Sequence, residues 1–307
     1  MSSFLQEYQR QPKLFIDLPS RGKWYNDTII KDASYEQLPV FGMNAMDEIM
    51  FKTPDSLYSG ESTAEVVRSC IPSILDPWQL VGYDIDYILI AIRIATYGDS
   101  MPAETICPFC ASRAENEISL TKMLGGFANY ETDFTFDLND FTFHLSPITY
   151  TANTKFSLEQ YQNERAMFQI DKLTDQEMDF KDKDTELKKL YSIGSDINVR
   201  MAISYVTSVS RNGQTETDLA AISSFITEND AQFFQELKEK ISELTYKWNL
   251  PLINVTCPGE ECGKAYKSAI NVDYSSFFGT SGKLSILISD CFSCITPDNS
   301  TTLFNSF

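Results

Sequence analysis

"ETICPFCASRAENEISL" occupies residues 104–120, and "INVTCPGEECGKAYKSAINVD" occupies residues 253–273. The two stretches share one plan: a short β-prone run, a Cys-Pro pair, a second cysteine, and another β-prone run. Cys107 and Cys110 have two residues between them, and the exit run carries Ile118 and Leu120. Cys257 and Cys262 have four between them, Gly263 follows, and the exit run carries Ile270 and Val272. Each stretch predicts a hairpin whose turn presents two thiolates. Two such hairpins face to face make a split zinc-ribbon-like site, with four thiolates about 2.3 Å from one structural Zn2+.

The halves are separated by 146 residues. A metal bridging them closes a long loop, whose entropic cost grows only slowly with length. Two other readings of the cysteines stay open at this point. The pairs could pack as small apolar residues, or Cys107-Cys110 could be a thiol–disulfide couple. The redox reading needs a βαβ context with the first cysteine at a helix N-terminus, and it leaves Cys257 and Cys262 without a role. Cys291 and Cys294 form a third pair with no evident partner. Cys70 stands alone on a helical stretch and reads as a buried small side chain.

The rest of the 307 residues narrows the function classes. Acidic residues outnumber basic ones 43 to 25, for a net charge of −18, and no basic cluster offers phosphate contacts. Nucleic acid is therefore not an expected partner. No apolar run approaches the roughly 20 residues of a membrane span, and "MSSFLQEYQRQP" is not a signal peptide, so the expected starting compartment is a cytosol. The single histidine, His144, reads as a residue of a β-hairpin core. There is no Gly-rich phosphate loop or nucleophile elbow, so no catalytic residue and no small-molecule substrate are expected.

Along the chain, residues 1–24 read as an extended N-terminal arm with a turn at Ser20-Arg21-Gly22. Asn44 and Asp47 suit the start of a short helix, and a second helix ends at Pro72. In "YDIDYILIAIRIATYG", Ile85, Ile88, Leu89, Ile92 and Ala95 form one stripe, with Gly98 as the stop. "DFTFDLNDFTFHL" alternates as a β-hairpin around Asn139-Asp140. Residues 151–249 read as a helical insertion, with helix running on to Asn212-Gly213 and a later helix capped by Thr227 and Asp230. The expected fold is α+β. A mixed helical core at 25–150 and 250–280 carries the zinc-ribbon halves, and 281–307 forms a C-terminal tail.

Six stretches in order resemble the baseplate hub assembly protein family of T-even-like contractile-tailed bacteriophages. They are "LPSRGKWY", "DEIMFKTPDSLYSGESTAEVVRSCIP", "PWQLVGYDIDYILIAIRIATYGDSM", "CPFC", "CPGEECGK" and "DYSSFF". The match covers roughly residues 12–145 and 250–279. The resemblance implies a non-enzymatic structural or assembly protein whose partners are other phage tail baseplate and hub proteins. It implies the host cytoplasm during assembly, with the virion tail baseplate as a further address. The alternatives from other classes are a thiol oxidoreductase using Cys107-Cys110 and a zinc-ribbon regulatory protein.

Overall fold

The computed structural model describes residues 10–51, 59–127, 134–173, 178–259, 262–268 and 277–278. The chain is mixed α and β and divides into two compact units, one within residues 1–99 and 120–249, the other within 100–119 and 250–307. Residues 100–119 join the C-terminal stretch, and most of 25–150 shares a unit with 151–249.

In the larger unit, β1 (Pro12–Ile16) pairs antiparallel with β2 (Leu38–Phe41), Ile16 opposite Leu38. The described part of the expected extended segment, residues 10–24, thus contains a paired strand. Ile16, Leu18 and Ser20 are buried, because alternate apolar residues of an extended chain share one side and β2 supplies ladder partners. The expected turn is present. Arg21 donates its N–H to the Leu18 carbonyl at 2.9 Å, and Arg21 and Gly22 both have positive φ. A Cβ on Gly22 would lie 2.7 Å from Tyr35 Cδ1, so glycine is required there.

Helix α1 (Ala45–Phe51) starts as its sequence indicates. Asn44 Oδ1 accepts from the Met46 and Asp47 N–H groups at 2.8 and 3.0 Å, and Asp47 Oδ2 accepts back from Asn44 N–H at 2.8 Å. Helix α2 (Glu61–Cys70) follows, with Cys70 buried on it. Helix α3 (Gly82–Tyr97) is buried on more than one stripe: Ile90 and Ala91 are covered as well as Ile85, Ile88, Leu89 and Ile92. Gly98, at φ 94°, ends it.

After β3 (Ser100–Ile106) and β4 (Arg113–Ser119), which belong to the smaller unit, α4 (Leu120–Gly126) returns to the larger one. Strands β5 (Thr135–Leu138), β6 (Phe141–Leu145), β7 (Val206–Arg211) and β8 (Gln214–Glu216) make a four-stranded antiparallel sheet in that order. Helices α5 (Tyr150–Asp171) and α6 (Phe180–Ser204) lie between β6 and β7 in sequence. Helices α7 (Leu219–Glu228) and α8 (Ala231–Thr245) follow the sheet. Phe143, Val206, Ile222, Phe233, Leu237 and Trp248 share one apolar cluster.

Two local expectations are corrected. Helix stops at Ser204, and residues 206–216 form a hairpin with Asn212 (φ 51°) and Gly213 (φ 79°) at its turn. Val206, Thr207 and Val209 favour extended chain, and the open edge of β6 completes their hydrogen bonding. The cap at 227–230 is also shifted. Thr227 lies inside α7, donating to the Ser223 carbonyl at 2.9 Å, and Asp230 alone caps α8 by accepting from Phe233 N–H at 2.8 Å.

The entry to α3 is pinned by a fully buried carboxylate. Asp84 accepts from the Ser20 N–H at 3.1 Å and the Tyr25 hydroxyl at 2.5 Å, and that hydroxyl accepts from Val81 N–H at 3.1 Å. Burial pushes the Asp84 carboxyl up from 3.8 to about 6, against the opposing pull of the Ser20 and Tyr25 hydrogen bonds. The folded chain thus holds this proton more tightly than the unfolded chain does. The resulting stability is fully present below pH 4 and is lost as pH rises through 6. We expect wild type to gain roughly 2 kcal/mol relative to Asp84→Asn on going from pH 7 to pH 4. Urea unfolding of both proteins at the two pH values measures it; parallel pH profiles would contradict the assignment.

Candidate metal centre

The smaller unit contains the two cysteine hairpins. Strands β3 and β4 pair antiparallel from Ser100↔Ser119 to Ile106↔Arg113. On β3 the inward positions Met101, Ala103 and Thr105 are buried, and the same period of two carries on to Cys107. The second hairpin repeats this. Strand β9 (Ile253–Thr256) pairs with β10 (Ala265–Ser268), and its buried Val255 is followed two residues later by buried Cys257. Strand alternation therefore delivers the first sulphur of each pair to the inside.

The turns deliver the second sulphurs. Cys107 N–H donates to the Ser112 carbonyl at 2.9 Å and Ala111 N–H to the Cys107 carbonyl at 2.8 Å. Cys257 N–H likewise donates to the Lys264 carbonyl at 2.9 Å, and Gly263 N–H to the Gly259 carbonyl at 3.0 Å. The residue after the second cysteine is left-handed in both: Ala111 at φ 56° and Gly263 at φ 55°. The hairpins are joined by a 2.8 Å hydrogen bond between the Thr105 and Tyr266 hydroxyls, and the Lys264 ammonium lies 4.7 Å from the centre of the Phe109 ring.

The four sulphurs of Cys107, Cys110, Cys257 and Cys262 all lie within 4.8 Å of one another. Cys107 and Cys262 are 3.8 Å apart at sulphur, and Cys110 and Cys257 are 3.5 Å apart. A tetrahedron with sulphur ligands about 2.3 Å from its centre has edges of about 3.8 Å, so the donor set fits one tetrahedral metal ion. The Ser112 hydroxyl lies 3.1 Å from Cys110 Sγ and 3.3 Å from Cys257 Sγ, and Gly259 N–H donates to Cys257 Sγ at 3.4 Å. Such outer donors orient thiolates.

These contacts divide the thiols. The Ser112 hydroxyl and then its N–H hold Cys110 down to about 6, and the same hydroxyl, then Gly259 N–H, lowers Cys257. Lys264 N–H pulls Cys262 down as well, but burial and the three neighbouring sulphurs outweigh it and push that thiol up to about 11. The sulphurs compete for negative charge, a conflict that a central dication removes.

All four predicted ligands are thus brought together. The redox alternative asked for a helix N-terminus at Cys107, whereas Cys107 follows a strand and leads into a turn and a second strand. His144 is corrected. It sits on β6 but is only half-buried, because the strand's alternation turns Phe143 and Leu145 inward instead. Cys291 and Cys294 lie outside the described residues. Sequence reasoning missed Ser112, whose position two residues past the second cysteine is no signal by itself. It also missed the left-handed Ala111, which becomes visible only when the two turns are aligned.

A family model described as T4 bacteriophage base plate protein matches residues 43–279. The chain belongs to that family. The matched span contains both cysteine hairpins and everything between them. No curated protein and no solved structure matches this base plate family chain.

The paired turns generate a matched test. A Cβ at Gly263 would meet nothing within 4 Å, so Gly263→Ala carries only the conformational cost of the left-handed backbone. We expect it to lower stability by roughly 1 kcal/mol and Ala111→Gly to raise it by roughly 0.5–1 kcal/mol. Thermal melts of the two variants check this, and a destabilised Ala111→Gly would contradict the left-handed assignment.

Proposed function

We propose that this chain is a non-enzymatic component or assembly factor of the baseplate hub, working by protein–protein contact. In this reading a structural zinc held by Cys107, Cys110, Cys257 and Cys262 clips its smaller unit together. The family match over residues 43–279 carries the baseplate part. The convergence of four sulphurs on one point carries the zinc part. Bound zinc supplies no reaction step here; it neutralises the thiolates and contributes folding free energy.

Other tail and hub proteins are the expected partners, met in the host cytoplasm during assembly and in the tail baseplate of the virion. The net charge of −18 supports protein rather than nucleic-acid partners. No helix among the described residues is long and apolar enough to cross a membrane. The segment 1–24 is a further candidate for partner contact, its exposed Phe15 lying beside buried Ile16 and Leu18.

Two measurements test the proposal separately. Purified protein should hold about one zinc per chain after dialysis, and chelation should unfold the smaller unit. Folded protein without zinc would end the metal reading and leave the baseplate role standing. A tagged chain should co-purify hub proteins from infected cells. Failure to capture any tail component would end the assembly reading whatever the zinc content.

A further inference from the structure

Alternation along β1 and just beyond it sends Ile16 and Leu18 inward and leaves Phe15 and Asp17 on the outer side. Phe15 and Asp17 border a cavity of about 560 Å³. Its other walls are residues 35–37, Tyr87 on α3, and Leu124 and Phe127 at the end of α4. All of these residues belong to the larger unit. The volume falls within the roughly 300–1,000 Å³ of ligand pockets.

The cavity is aromatic inside and charged at its mouth. Phe127 is fully buried and meets the Tyr87 ring edge to face, with centres 5.2 Å apart. Asp17, Arg21 and Glu36 are exposed and stand at the opening. Asp17 is fixed there, its Oδ1 accepting from the Gln37 N–H at 2.8 Å. Gln37 has a left-handed backbone, at φ 54°, and so does Arg21, at φ 53°. Such conformations are uncommon for these residue types, and they cluster where a chain clamps a ligand.

The lining selects the sign of the occupant. The carboxylates of Asp17 and Glu36 stand against the single guanidinium of Arg21, and aromatic rings favour a cation through their quadrupole. The Tyr87 hydroxyl registers the same field: burial first, then the Asp17 and Asp84 charges, push it up. An anion would be repelled by the carboxylates. An uncharged apolar group would strip water from them without pairing them. A cation pairs them, and the field of a chain of net charge −18 draws it in.

We propose that this cavity receives a lysine or arginine side chain from an exposed segment of a partner protein, its charged head at Asp17 and Glu36 and its stem along Tyr87 and Leu124. The inference rests on the partner-binding reading above for the source of that side chain. Long basic side chains carry an apolar stem behind a charged head, which matches an aromatic interior with an acidic mouth. One side chain fills part of the volume, and the residues flanking it in the segment occupy the rest.

Titrating the methyl-labelled full chain with acetyl-Gly-Arg-Gly-amide, up to about 20 mM, tests the site by NMR. The Leu18 and Leu124 methyl signals should shift with a Kd of roughly 1–5 mM, and the same peptide with citrulline for arginine should bind about tenfold more weakly. Asp17→Asn with Glu36→Gln should weaken binding about tenfold at an unchanged melting temperature, and Glu36→Gln alone about threefold. Arg21→Gln should tighten binding about threefold, and about 0.5 M NaCl should weaken it. Absence of any shift, equal binding of the citrulline peptide, or tighter binding of acetyl-Gly-Glu-Gly-amide overturns the proposal. Co-purification from infected cells separates the two readings. Peptide binding with no tail protein captured would keep the cation site and end the hub reading. Capture of hub proteins by a chain that binds no peptide would end the cation site and keep the hub reading.

Discussion

Four sulphur atoms from two turns, 146 residues apart along the chain, meet within 4.8 Å. Closing a loop of that length costs roughly 4–5 kcal/mol of chain entropy beyond a constant. The hairpins contribute a shared hydroxyl pair at Thr105 and Tyr266 and a small apolar cluster of Cys107, Val255, Cys257 and Tyr266. Neither is large beside that cost. A structural zinc, with an apparent binding free energy of about 10–16 kcal/mol, would exceed it comfortably.

The larger unit is organised differently. Its apolar residues supply area, while a few buried polar groups select which segments meet. Asp84 ties Ser20 and Tyr25 to the start of α3. Asp47, also buried, accepts from Asn44 N–H and the Ser69 hydroxyl and faces the Arg10 guanidinium at 3.4 Å, so α1, α2 and the start of β1 converge on it. Such pins are costly to leave unsatisfied. They therefore discriminate among arrangements that would bury similar apolar area. They also explain why the N-terminal segment belongs to the core although its sequence contains no long apolar run.

The chain belongs to a base plate family and carries a net charge of −18. In the long α5–α6 hairpin only Asn163, Ile197 and Ala202 are buried. Tyr150 at its base packs on Trp78, with ring centres 5.3 Å apart, whereas Phe168, Phe180 and Tyr191 are exposed.

Local chemistry legible along the chain determined the strands around both cysteine pairs, the Asn44–Asp47 cap, the 82–97 helix with its Gly98 stop, and the hairpin at Asn139. Each of these rests on residues within a few positions of one another, where propensity and period are decisive. The four metal-ligand candidates were legible for the same reason: two similar turns announce themselves separately. Only the tertiary structure decided that residues 206–211 are a strand, because the open edge of β6, more than 60 positions earlier, completes their ladder. It likewise decided that β1 pairs with β2, that His144 is only half-buried, and that Ser112 touches two sulphurs from different hairpins. In every one of these cases the deciding partner is distant in sequence, and neither period nor propensity carries information about which distant groups will become neighbours.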